Sequence, residues 1–298
     1  MNKATASGPH FPDLSRAPFA ITDASPAQAA KEIVASFRQL ALLEERTTTA
    51  FAAVAERTGL ASSAPIVSAG RTLAAEMDAD WRGIGRNPYH NSQHTCEVLL
   101  CSHYVAKRHR LAPGIIGQIA LAALIHDFGH DGTNNGAEPF RLERHALEST
   151  RGPLLAAGVA PAEADRIAAM VLSTELQMGT PYARSCLRRF RNPDAPPPSA
   201  APLPGPLGLL ADDADLAFQA VLLTECDLLP SVALTIDHAM TNQVRLSRED
   251  RRIVAGPGAK RAFLERHVED LMVADFFQPN LKRLRRFVND SLDTQGAR

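Results

Sequence analysis

A chain of 298 residues that is 45% apolar and 22% charged has the composition of a folded globular protein, which excludes disordered, collagen-like and coiled-coil classes. Its 32 basic and 33 acidic residues leave a net charge of −1, so it carries no broad electrostatic footprint for nucleic acid or an anionic membrane, and its partner is expected to be small. Residues 1–25, with Pro, Ser and Gly but no periodicity, read as a flexible arm. They contain no apolar signal-peptide core, which predicts a cytoplasmic protein. Pro26 after Ser25 is a helix start, and Ile33, Phe37, Leu40 and Ala41 recur at helical steps. A second helix is predicted over 71–78, and GIGRNP (83–88) breaks the chain. Further helices are expected at 92–110, 114–127, 138–150, 161–178 and 182–190, then at 214–238, 258–277 and 279–292. No run alternates with the period of a strand, so the fold class is all-α. The apolar stretch Ile115 to Ile125 is too short for the ~20 residues of a membrane span and reads as a buried helix. Cys96, Cys101, Cys186 and Cys226 form no CxxC pair and read as reduced thiols. The segment 191–208, RNPDAPPPSAAPLPGPLG, is the one low-complexity stretch. Residues of one site flank it, so it is taken as a surface loop within a single domain, 26–298.

Seven of the ten histidines fall between His90 and His145. In NPYHNSQH, His90 and His94 are four apart, which on a helix places both imidazoles on one face. In LAALIHDFGHDGTNN an apolar helix delivers His126 and Asp127 together at its end, with His130 one turn on. Burying a carboxylate there costs several kcal/mol unless it is paired or metal-bound. Adjacent His and Asp offer one ion a neutral nitrogen and an anionic oxygen, and the oxygen can bridge to a second ion. Asp227, in TECDLLPS, lies inside another apolar helix, whereas Asp212, Asp213 and Asp215 read as a solvated run.

These residues resemble the signature of the class I cyclic nucleotide phosphodiesterases, members of the metal-dependent HD superfamily of phosphohydrolases. The family pattern is YHNxxH, then HDxxHxGxxN, then a Glu after Leu, then an Asp on a later helix. The chain supplies Tyr89-His90-Asn91 with His94; His126-Asp127 with His130, Gly132 and Asn135; Leu147-Glu148; and Asp227. The resemblance spans about residues 80–290. It implies a compact multi-helix bundle with a buried two-metal site, acting on a small phosphodiester without nucleic acid or membrane, and it leaves room for a homodimer. It implies that His94, His126, Asp127 and Asp227 bind zinc and that Asp127 bridges to magnesium or manganese held mostly by waters. Two such cations lower the pKa of a bridging water and yield a hydroxide nucleophile near neutral pH. By the same resemblance His90 is the general acid, Glu148 helps hold it or a metal-bound water, His130 and Asn135 orient ligands, and Tyr89 and Phe263 meet the substrate, Phe263 by stacking on the base.

One position departs from the family. With Phe263 of GAKRAFLERH as anchor, Lys260 stands where the family carries a purine-reading glutamine, and Gln243 and Gln278 are the nearest glutamines. Lysine cannot present an amide's paired donor and acceptor. The expected activity is hydrolysis of a 3′,5′-cyclic nucleotide to its 5′-monophosphate. The departure keeps open a phosphodiesterase acting on another small ester. A rival of a different class, a nucleotide-binding sensor without catalysis, would be marked by loss of a ligand or of the general acid, and none is lost.

Overall fold

Ser25 opens the first helix as its sequence requires, its hydroxyl accepting the Gln28 N–H (3.3 Å) with Pro26 in the first turn. The computed structural model describes residues 24–84, 87–198 and 203–296. The arm expected over 1–25 therefore lies outside the described residues, apart from Ala24 and Ser25. All regular structure among the described residues is helical: α1 (Pro26–Leu40), α2 (Arg46–Thr58), α3 (Pro65–Ile84), α4 (Ser92–Arg108), α5 (Pro113–Ile125), α6 (Arg141–Ala156), α7 (Pro161–Leu172), α8 (Gly179–Arg191), α9 (Ala214–Val232), α10 (Ile236–Glu249), α11 (Pro257–His267) and α12 (Gln278–Gly296), with short 3-10 turns at Gly205–Ala211 and Asp275–Phe277. Among these residues no single helix is long and apolar enough to cross a membrane.

Helix α5 is apolar all round and buried, as a core helix must be. It packs on α4 and α7, while α9 packs on α4, α8 and α10, and one contiguous apolar core joins them. All four cysteines are buried and unpaired.

Several boundaries differ from the sequence expectation, each for a local reason. Helix α2 has no side-chain cap of its own; the Asp78 carboxylate on α3 accepts the Thr47 and Thr48 N–H groups (3.0 and 2.8 Å). The helix expected over 161–178 stops at Leu172, and the Glu175 carboxylate then receives the N–H groups of Gln177, Met178 and Gly179, starting α8. The single helix expected over 214–238 is two, α9 and α10, bent by 96°, with Thr235 capping the second. The stretch expected over 258–277 ends its helix at His267. In the Pro-rich segment, residues 191–194 are exposed, residues 199–202 lie outside the described residues, and Leu207 of the 3-10 turn at the far end is buried, which anchors that end.

The turn between α11 and α12 is held by one buried carboxylate. Glu225 on α9 accepts Arg184 Nη1 (2.7 Å) and the backbone N–H groups of Met272, Val273 and Ala274 (2.7, 2.9 and 2.7 Å). Glu225→Ala leaves a buried guanidinium and three amides without their acceptor. The expected loss is about 3–5 kcal/mol, measured by urea unfolding.

Candidate functional site

Three helices bring the cluster together. Asn91 caps α4, its side-chain oxygen accepting the N–H groups of Gln93 (2.9 Å) and His94 (3.3 Å), which fixes His94 in the first turn. His126 ends α5, where its Nδ1 donates to the Ala123 carbonyl (2.8 Å), leaving Nε2 as the free nitrogen. Gly129, at φ 72°, turns the chain away immediately afterwards, a conformation that favours glycine. Asp227 projects from the middle of α9.

The side chains converge. His94 Nε2 lies 3.0 Å from Asp227 Oδ1, 3.5 Å from Asp127 Oδ2 and 3.5 Å from His126 Nε2. His126 Nε2 lies 3.2 Å from Asp127 Oδ2 and 3.8 Å from Asp227 Oδ1. Ligands about 2.0–2.1 Å from one tetrahedral ion stand about 3.3 Å apart, the value these separations bracket. Asp127 Oδ2 is buried without a hydrogen-bond partner. Burial works against an imidazolium at His126, yet the carboxylates of Asp127 and Asp227 outweigh it and push that imidazole up to about 9. The pocket thus favours positive charge: His94, His126 and Asp127 offer donor atoms within 4.8 Å of one another, a set that fits a divalent cation, and Asp227 Oδ1 approaches it from the side of the two imidazoles.

Beside the cluster, Glu249 at the end of α10 takes hold of His90. One carboxylate oxygen contacts His90 Nδ1 and the other accepts the N–H groups of Tyr89 (2.8 Å) and His90 (3.0 Å). Burial lowers the His90 pKa, but Asp127 and then Glu249 outweigh it, and the net shift is upward. The His90 ring stacks on His130 (centroids 4.0 Å apart). Burial and the neighbouring His90 push His130 down to about 4, and its Nδ1 accepts the Gly132 N–H (3.0 Å). The Tyr89 ring packs on His94, and its hydroxyl bonds to Ser231 Oγ (2.9 Å).

Asn135 binds the Leu142 N–H (2.8 Å) and Glu143 Oε2 (3.0 Å), holding the start of α6. Glu143 is buried, and burial above all, with Glu175 and Asp127 adding, pushes its carboxyl up to about 7. Glu148, the carboxylate the sequence singled out, is exposed on α6 and does not join the cluster. Both follow a leucine, and Glu143 shares its helix face with the buried Ala146 and Thr150, spaced by three and four residues. Glu249 gave no such signal, because its partner lies on a distant helix.

The cluster opens into a cleft of about 730 Å³ whose walls include His90, Asp227, Ser231, Gln243, Lys260 and Phe263. Phe263 is half-buried there, while Lys260 is buried.

The described residues are thus all-helical and bring two histidines and two aspartates together beside a cleft, an arrangement suited to a divalent cation. Residues 89–139 match the family described as 3′5′-cyclic nucleotide phosphodiesterase, and that segment contains His90, His94, His126 and Asp127. No curated protein sequence matches the chain. Among solved structures, that of LmjPDEB1 in complex with IBMX is similar with a TM-score of 0.58 and 12% identity, over 91% of this chain and 92% of that one, a likeness of fold. The family match thus covers the segment that carries both histidine motifs, and the structural match is one of fold.

Proposed function

We propose that the chain hydrolyses a 3′,5′-cyclic nucleotide to its 5′-monophosphate, with His94, His126, Asp127 and Asp227 holding zinc and Asp127 reaching a second ion, magnesium or manganese. The observation that carries this reading is the convergence of four metal-suited donors next to a histidine whose far nitrogen is left to the cleft by its pairing with Glu249. When bound, the ions supply neutralisation of the phosphate oxygens and activation of water. His90 donates its proton to the 3′ oxygen as the P–O3′ bond breaks, while the attacking water gives up one proton to solvent and its oxygen bonds to phosphorus. Its raised pKa keeps that proton available near neutral pH. Glu143, rather than Glu148, is the buried carboxylate near Asp127, and Asn135 holds it. His130 supports the His90 ring, and Tyr89 and Phe263 line the substrate's side of the cleft.

The test is turnover of cyclic AMP, cyclic GMP and bis(p-nitrophenyl) phosphate by protein loaded with zinc plus magnesium or manganese. Metal-dependent release of a 5′-monophosphate, with solvent ¹⁸O in its phosphate, is expected. Turnover of the synthetic diester alone would replace the reading with hydrolysis of another small ester. Cyclic nucleotide binding with no turnover of any diester would make the chain a sensor.

A further inference from the structure

Lys260 is 3% exposed, and its ammonium makes one hydrogen bond, to the Ser231 carbonyl (3.1 Å). No carboxylate among the described residues forms an ion pair with it. Two of its three protons are therefore uncommitted in a cleft wall, where a buried cation is costly unless it finds acceptors. Burial alone pushes this amine down to about 8.

A second polar group on the same cleft is similarly incomplete. Gln243 is buried; its Nε2 donates to the Gly256 carbonyl (3.1 Å), and its Oε1 has no partner. That bond fixes the amide, since a flip would set its oxygen against the Gly256 oxygen. The cleft thus holds a group that only donates and a group left only to accept. An aromatic face accompanies them, because the Phe263 ring centroid lies 5.6 Å from Lys260 Nζ.

The position relative to the cluster is set by α9. Asp227 and Ser231 are four residues apart on that helix, a rise of about 6 Å, and Ser231 holds both Tyr89 through its hydroxyl and Lys260 through its carbonyl. A substrate whose phosphate meets Asp227 brings its other end toward Lys260.

We propose that Lys260 is a specificity-determining residue that selects a base edge rich in acceptors, making the site favour a 6-oxo purine cyclic nucleotide over a 6-amino one, with Gln243 Oε1 receiving the ring N–H. The inference rests on the cyclic-nucleotide reading above. O6 and N7 of guanine both accept from lysine, whereas the N6 amino group of adenine sets donor against donor. The ring N1–H of a 6-oxo purine supplies the donor that Gln243 lacks; adenine N1 carries none.

The test compares kcat/KM for cyclic GMP, cyclic AMP and the base-free bis(p-nitrophenyl) phosphate in the wild-type enzyme, Lys260→Met and Lys260→Arg. The wild type is expected to favour cyclic GMP by about 5- to 150-fold, the range of one good base contact. Lys260→Met lowers kcat/KM for cyclic GMP by that factor relative to the other two substrates, chiefly through KM, and Lys260→Arg restores the preference. Methionine keeps the volume and removes an unpaired buried charge, so the fold is expected to tolerate it; Lys260→Gln serves as a second variant. A wild-type preference for cyclic AMP, or a Lys260→Met enzyme that keeps its preference or loses all three activities equally, overturns the proposal. Calorimetric binding of the two cyclic nucleotides separates this outcome from failure of the hydrolysis reading. Selective cyclic GMP binding that is lost in Lys260→Met upholds the selectivity in a protein without turnover, and unselective binding removes it.

Discussion

Asp127→Asn is expected to strip most of the bound metal from the purified protein and to lower cyclic nucleotide turnover by about 10³-fold or more, several kcal/mol of transition-state stabilisation at 1.36 kcal/mol per decade. The substitution preserves shape and removes one negative charge. That charge is central to the cluster: Asp127 Oδ2 stands 3.2 Å from His126 Nε2 and 3.5 Å from His94 Nε2, and it has no hydrogen-bond partner to satisfy it otherwise. A neutral amide at this point leaves Asp227 as the only carboxylate opposite two imidazoles, and it can no longer serve two cations. Elemental analysis after dialysis, turnover and a thermal melt on the same preparation check the outcome. A variant that keeps its full metal content would place the metal elsewhere. For the wild type, chelation should lower Tm, because a ligand that binds only the folded state stabilises it.

Much of the helical fold was legible because burial imposes periodicity. Ile33, Phe37 and Leu40 repeat on the face of α1 that the core covers, and α5 is so uniformly apolar that it could only be interior. What escaped was set by contacts distant in sequence. The start of α2 is not marked locally, since it has no side-chain cap of its own and its first amides are capped by Asp78 some thirty residues on. The bend after α9 is similarly hidden, since Val232, Ala233 and Leu234 are as buried and apolar as the helix before them and continue its pattern.

The candidate site divides along the same line. His94, His126 and Asp127 could be read from spacing and an apolar lead-in, and Asp227 from the cost of a carboxylate in an apolar helix. The choice between Glu143 and Glu148 needed the packing of α6, which buries one and exposes the other. Glu249 is joined to His90 across 159 positions, and no short pattern encodes a contact at that range.

That long-range pair carries the other large effect. His90→Ala is expected to lower kcat for the cyclic nucleotide by about 10²- to 10⁴-fold with metal content retained, because His90 lies outside the four converging donors. The loss should fall unevenly between substrates. The 3′ alkoxide leaves poorly without a proton, whereas p-nitrophenolate leaves readily without one, so bis(p-nitrophenyl) phosphate should lose far less. Glu249→Gln tests the same proton by pH. Burial depresses the His90 pKa, and Asp127 and Glu249 raise it above its ordinary value, so wild-type kcat holds at neutral pH and falls as pH rises through that raised value. A cation in the cluster offsets the contribution of Asp127, which leaves Glu249 as the carboxylate sustaining the shift. Its neutralisation lowers the His90 pKa and moves the falling limb to lower pH. Equal losses on both substrates in His90→Ala, metal loss equal to that of Asp127→Asn, or an unmoved limb in Glu249→Gln would each deny His90 the role of proton donor, because a residue that only shapes the cleft has no means of distinguishing leaving groups or of following the charge on Glu249.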